Sequence, residues 1–301
     1  MTRLRYGVAA AALAVAGLLT GCSAEPAGNA AAASSEPVPV VATTPQVADF
    51  VRNIGGDDVT VTQIVKPGVD PHDYEPTPAD MQAVAGAKLV VKNGVGLEKW
   101  LDRTISSAGY TGTVVDASAN VALRPDDPHI WHNPLNAKIM VADIEKGLAA
   151  ADPARTAVFA ENLADYSAEL DELDADNLAA YARIPADQRK LVTNHDAFGY
   201  YVDRYRLDFV GSVIPSMDTS AELSAKQLTD LVAKIRATGT KAVFTESSLP
   251  PKTAEAIAAQ AGVKVVASLY GDSLGPAGSD GATYLTAERH NTATIAGALA
   301  G

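Results

Sequence analysis

Cysteine occurs once in the 301 residues, at Cys22. No internal disulfide can form, and no thiolate remains elsewhere in the chain for a metal site. Net positive charge is also missing, because 36 Asp and Glu outnumber 24 Lys and Arg to give −12. Such a surface cannot neutralise a phosphate backbone, which argues against nucleic acid as a partner. The negative charge is compatible with attracting cations, and equally with simple solubility. Beyond the first two dozen residues no run is long and apolar enough to span a bilayer. The HExxH signature of zinc hydrolases is absent. Histidine is scarce: only His72, His129, His132, His195 and His290 occur, so the setting of each one matters.

The beginning of the chain has a pattern of its own. Arg3 and Arg5 precede an apolar, small-residue run from Gly7 to Leu19, which leads to Leu19-Thr20-Gly21-Cys22. A basic front, a short apolar stretch and a small-residue exit read as a signal peptide over residues 1–21 rather than a membrane span. The last four residues resemble the lipobox of bacterial lipoproteins, which implies cleavage before Cys22 and lipidation of that cysteine. Acyl chains on Cys22 would anchor the exported protein to the membrane, at about 0.8 kcal/mol per buried CH₂. Residues 22–37 lack large apolar side chains and read as a flexible tether.

From Val40 onward, strand and helix patterns alternate. Short β runs are expected at Val40–Thr44, Val59–Val65, Leu89–Val91 and Thr113–Val115 in the first half, and at 190–194, 208–213, 241–246 and 263–269 in the second. Helical patterns separate them. This alternation predicts an α/β fold of two lobes, 38–151 and 185–301, each with about four mainly parallel strands flanked by helices. Residues 152–184 between them carry the longest helical pattern. Asp152 and Pro153 make a favoured start, and Phe159, Leu163, Tyr166, Leu170 and Leu173 form one apolar stripe. About thirty helical residues would reach roughly 45 Å, the height of two stacked lobes. The acidic residues crowding its other faces read as a solvated surface.

The chemistry gathers on loops that follow predicted strands. His72 lies in Pro67-Gly68-Val69-Asp70-Pro71-His72-Asp73, and His129 and His132 in Asp127-Pro128-His129-Ile130-Trp131-His132-Asn133-Pro134. His195 ends the first strand of the second half, in Thr193-Asn194-His195-Asp196. Open α/β sheets bind ligands beyond the carboxyl ends of their strands, where such loops meet. Imidazoles with carboxylates nearby suit a borderline transition metal. With no thiol to offer, a fourth ligand must be an oxygen donor; Asp272 in Gly271-Asp272-Ser273 meets that need, although the triplet also reads as a turn.

These stretches, together with NHDAFGYYVDRY at 194–205, FTESSLPPK at 244–252 and LYGDSLGP at 269–276, resemble the cluster A-I solute-binding proteins of metal ABC transporters, the ZnuA/TroA-like family. The resemblance runs in order over about residues 40–300. It implies two α/β lobes on one backbone helix, no catalysis, and an ABC permease as partner. It maps the metal ligands to His72 and His129 in one lobe and to His195 and Asp272 in the other. His132 becomes an outer partner or alternative ligand, Glu246 an outer partner, and His290 is left out. Three histidines and an aspartate resemble the zinc branch, whereas a glutamate at the third position marks manganese receptors; some relatives with this set are associated with manganese. Many zinc receptors carry a long histidine-rich loop between the first two ligands, and here residues 116–128 are short and contain no histidine. The expected ligand is therefore Zn(II), with Mn(II) as the alternative, and a surface adhesin or zinc hydrolase as further alternatives. A monomer is expected, with metal between lobes that move through only a small hinge.

Overall fold

The computed structural model describes residues 36–221 and 224–300. The signal peptide, Cys22 and almost all of the tether lie outside the described residues. Within them are two four-stranded sheets, all of whose pairings are parallel. The first is built from β1 (Val38–Ala42), β2 (Val59–Gln63), β3 (Leu89–Lys92) and β4 (Thr113–Asp116), in the order β2-β1-β3-β4. The second is built from β5 (Lys190–His195), β6 (Asp208–Ile214), β7 (Ala242–Glu246) and β8 (Lys264–Leu269), in the order β6-β5-β7-β8. Composition follows position. The central strand β7, Ala-Val-Phe-Thr-Glu, is buried throughout, while edge strand β2, Val-Thr-Val-Thr-Gln, alternates half-buried and exposed. Each order reverses direction once, between β1 and β3 and between β5 and β7. Those switch points open crevices at the strand carboxyl ends.

The helices start where capping chemistry says they should. Thr44 caps α1 (Pro45–Gly55), Thr77 closes a capping box with Asp80 on α2 (Pro78–Gly86), and α3 follows at Leu101–Ala108. Asn133 caps α4 (Pro134–Ala151). Three of these helices open on proline at the first helical position, where its missing N–H costs nothing. The second lobe adds α6 (Gly199–Tyr205), α7 (Ala225–Thr238) with a Ser224–Gln227 capping box, and α8 (Lys252–Ala261).

The long helix α5 spans Thr156–Ala182, 27 residues and so roughly 40 Å. It begins three residues later than the sequence pattern suggests. Asp152 caps a separate 3₁₀ turn, Pro153–Arg155, because its carboxylate accepts the backbone N–H of Ala154. Phe159, Tyr166, Leu170 and Leu173 are buried in the core of the first lobe, and Tyr181 in that of the second. The acidic faces are solvated as expected, with one exception. Asp174 is buried and pairs with Arg204 on α6, fastening the helix to the second lobe.

The last helix, α9 (Tyr284–Ala300), also crosses between lobes. The sequence pattern assigns it wholly to the second half, yet Tyr284 and Leu285 pack in the first core and Ile295 and Leu299 in the second. Phe50 meets the Tyr284 ring edge-on at 4.8 Å. Two helices therefore hold the lobes together. Because Phe159 is wholly buried where α5 meets the first sheet's helices, Phe159→Ala is expected to lower the free energy of unfolding by about 3–5 kcal/mol. Chemical denaturation followed by circular dichroism measures the change.

Candidate metal centre

His72 sits on the loop after β2. Its backbone N–H donates to Asp70 Oδ1 at 2.9 Å, and Trp100 Nε1 donates to the preceding Pro71 carbonyl at 3.2 Å. His129 lies on the loop after β4, and Asp127 holds it twice: Oδ1 accepts the backbone N–H at 3.1 Å and the ring Nδ1 at 2.9 Å. Behind it, Asn93 donates to the Pro128 carbonyl at 2.9 Å. Asn93 is in turn fixed by the buried Glu98, whose carboxylate accepts Thr43 Oγ1 and the backbone N–H groups of Asn93 and Gly94. Burial pushes the Glu98 carboxyl above its ordinary range.

His195 is the last residue of β5. Its Nδ1 meets Glu246 Oε1, at the end of the adjacent strand β7, at 2.7 Å. This pair straddles the switch point of the second sheet. Asp272 follows β8, one residue after Gly271. A Cβ on Gly271 would fall on the Glu246 carboxylate, so this glycine is required for space.

These four side chains converge. Their ligand atoms lie within 4.8 Å of one another, and all four residues are buried. The Nε2 atoms of His72 and His129 are 3.2 Å apart, and those of His195 and His129 3.3 Å. Asp272 Oδ1 is 3.2 Å from His129 Nε2, and Oδ2 is 3.3 Å from His195 Nε2 and 3.5 Å from His72 Nε2. A carboxylate behind a histidine takes the Nδ1 proton and leaves the Nε2 lone pair free. His129 and His195 both have such a carboxylate, and their Nε2 atoms are turned towards the centre.

The electrostatics follow from that crowding. Burial disfavours a charged His195, but the Asp272 and Glu246 carboxylates outweigh it and hold its pKa well above the usual histidine range. His129 is raised in the same way: burial opposes the charge, and Asp127 and Asp272 overcome it. Burial also opposes ionisation of Asp272, yet His195, His129 and His72 keep it well below the ordinary carboxylate range. A divalent cation would satisfy the three nitrogens and the carboxylate at once, which is the chemistry of a nitrogen-rich zinc-type site. Access is from the side of His72, which lines a cavity of about 430 Å³ with Asp126, Met217 and Asp218. A Lys99–Asp218 ion pair bridges the lobes beside this opening.

Not every histidine joins. His132 is buried but turned away: its Nδ1 meets Glu288 Oε1 at 2.7 Å, and its ring stacks on Phe198 at 4.4 Å. It ties the loop after β4 to α9 and α6. His290 lies apart at the surface, 2.8 Å from Asp280. The backing role of Asp127 was visible only as a carboxylate near His129. Glu288, 156 residues from His132, gave no such signal, and nor did Glu98, whose link to His129 runs through Asn93.

Two α/β lobes on a long helix, enclosing a buried set of metal-type donors, define a cleft-binding solute receptor. The profile of the family described as zinc-uptake complex component A, periplasmic, matches residues 40–298. The chain belongs to this family, whose members are substrate-binding proteins of metal ABC transporters. It is 34% identical to the zinc-binding protein TroA of Treponema pallidum, covering 99% of each chain. It is 31% identical to the manganese ABC transporter substrate-binding lipoprotein PsaA of Streptococcus mitis, over 91% of this chain and 93% of that one. The solved structure of the Treponema pallidum periplasmic zinc-binding protein superposes with a TM-score of 0.80 at 32% identity, covering 88% of this chain and 99% of that one.

If Glu246 is what raises His195, Glu246→Gln should lower the His195 pKa in metal-free protein. Titration of the imidazole signals by NMR checks this, and an unmoved pKa would show that Asp272 alone sets it.

Proposed function

We propose that the chain is an extracytoplasmic lipoprotein, anchored through Cys22, that captures Zn(II) between its lobes and hands it to an ABC permease. His72, His129, His195 and Asp272 are the ligands, with Glu246 and Asp127 orienting His195 and His129 from behind. The observation that carries this reading is the buried convergence of three Nε2 atoms and one carboxylate in a single group. Asp272 strengthens it, because both its oxygens are buried and face the imidazole nitrogens at 3.2, 3.3 and 3.5 Å. A bound cation would engage all four groups at once, in place of the protons they share without it.

Transport rather than catalysis follows from the family and suits the donor set. Four protein ligands close the shell of a tetrahedral zinc, whereas hydrolytic sites keep a position open for water. Glu246 and Asp127, the carboxylates behind the ligands, are engaged with His195 Nδ1 and His129 Nδ1. Zinc is favoured by the nitrogen-rich donors. Manganese remains the second reading, supported by the PsaA relative and by an aspartate with both oxygens turned towards the centre.

Calorimetric titration of Zn(II) and Mn(II) into the body beyond Cys22, with His195→Ala alongside, tests the assignment. His195→Ala should weaken zinc binding by more than the roughly 10–100-fold that loss of an outer partner costs; unchanged affinity would sink the site. Direct competition between the two metals, read by elemental analysis, decides the metal.

Protonation adds an independent check. His129 and His195 have raised pKa values in the metal-free protein, and a bound metal requires neutral imidazoles. Metal binding near pH 7 should therefore release protons, and affinity should fall as the pH is lowered. Calorimetry in buffers of different ionisation enthalpy would reveal the release as a buffer-dependent heat.

A further inference from the structure

We propose that Trp131 and Gln46 are positioning residues for Asp272, acting from the first lobe through the carbonyl of Gly271. The proposal rests on reading Asp272 as a metal ligand. Gly271 follows β8 of the second sheet, but its carbonyl oxygen accepts two donors from the first lobe: Trp131 Nε1 at 3.3 Å and Gln46 Nε2 at 3.3 Å. Both donors are buried, Trp131 at 2% and Gln46 at 1% exposure, so water does not compete for the bond. The Gly271 carbonyl and the Asp272 nitrogen share one planar peptide unit. Fixing that oxygen fixes the plane from which the Asp272 side chain departs.

The other faces of the same turn are fixed from the second lobe. Asn291 on α9 clamps Tyr270, accepting its N–H and donating to its carbonyl, each at 2.8 Å. Glu246 fills the space beside the Gly271 Cα. From the first lobe, the Gly68 N–H donates to Ser273 Oγ at 2.7 Å, and among the described residues only Trp131 and Gln46 donate to the Gly271 oxygen.

Trp131 is suited to this by its place in the chain. It lies two residues after His129, and its ring stands edge-on to the His129 imidazole at 5.4 Å and 69°. Its own carbonyl accepts the Tyr284 hydroxyl at 2.6 Å, at the start of α9. One indole therefore packs on a ligand of the first lobe and holds the peptide that carries a ligand of the second. Gln46 does little for the fold alone, since its buried Oε1 has no hydrogen-bond partner and an apolar side chain would avoid that cost.

The test is a double-mutant cycle read with Co(II), whose visible absorption reports donor set and geometry. Trp131→Phe keeps an aromatic ring and removes the donor; Gln46→Leu removes the other. Either should weaken Co(II) binding by about tenfold and shift the absorption band, with a larger effect when both are changed. In an Asp272→Ala background the same substitutions should cause no further loss. A loss that persists undiminished in that background would overturn the proposal, as would native affinity and spectrum in folded variants. Should Trp131→Phe fail to fold, as judged by thermal melting without metal, Gln46→Leu carries the cycle alone. Native affinity in Asp272→Ala itself would overturn the ligand assignment beneath the proposal, and that variant is read first.

Discussion

Carboxylates stand behind two of the imidazoles and turn their Nε2 atoms inward, so that three ring nitrogens and the Asp272 carboxylate crowd one buried space. Asp127 does this for His129 and Glu246 for His195. The rest of the architecture serves to bring those groups together. A single sheet could offer its strand-end loops to one side only. Two sheets, each with a switch point, bring His72 and His129 against His195 and Asp272 and bury all four.

The same requirement explains the helices. If the donors belong to different lobes, the lobes must be held near contact even when the centre is empty. Helix α5 does so with Phe159 to Leu173 in one core and Tyr181 in the other, and α9 repeats the device with Tyr284 and Ile295. Buried His132–Glu288 and the Arg124–Asp203 ion pair add cross-links on the same side of the cleft. Two packed crossings are the structural feature behind the expectation of a small hinge or local loop change rather than wide closure.

Much of the fold was legible because its signals are local. Proline after Thr44, Thr77 and Asn133 announces helix starts, and runs such as Leu-Val-Val and Ala-Val-Phe announce buried strands. Where two local signals compete, the element boundary shifts. Asp152-Pro153 is a good helix start, yet it opens a 3₁₀ turn that precedes the long helix. The division of α9 between two cores was not legible at all, since its apolar spacing is the same whichever core each turn meets.

The sequence by itself determined the donor types and their places at strand ends: a single cysteine, Cys22, far along the chain from the candidate ligands, four of the five histidines on loops and strand ends, and Asp272 after the last strand. Those features depend on composition and neighbours along the chain. Only the tertiary structure decided which histidines face one another. His129 and His132 are three residues apart with similar flanks, but one Nδ1 is taken by Asp127 and its Nε2 points to the centre, while the other is drawn to Glu288, 156 residues away. Orientation of a ring is set by whichever carboxylate the fold brings to its far nitrogen, and that partner is a property of three-dimensional packing.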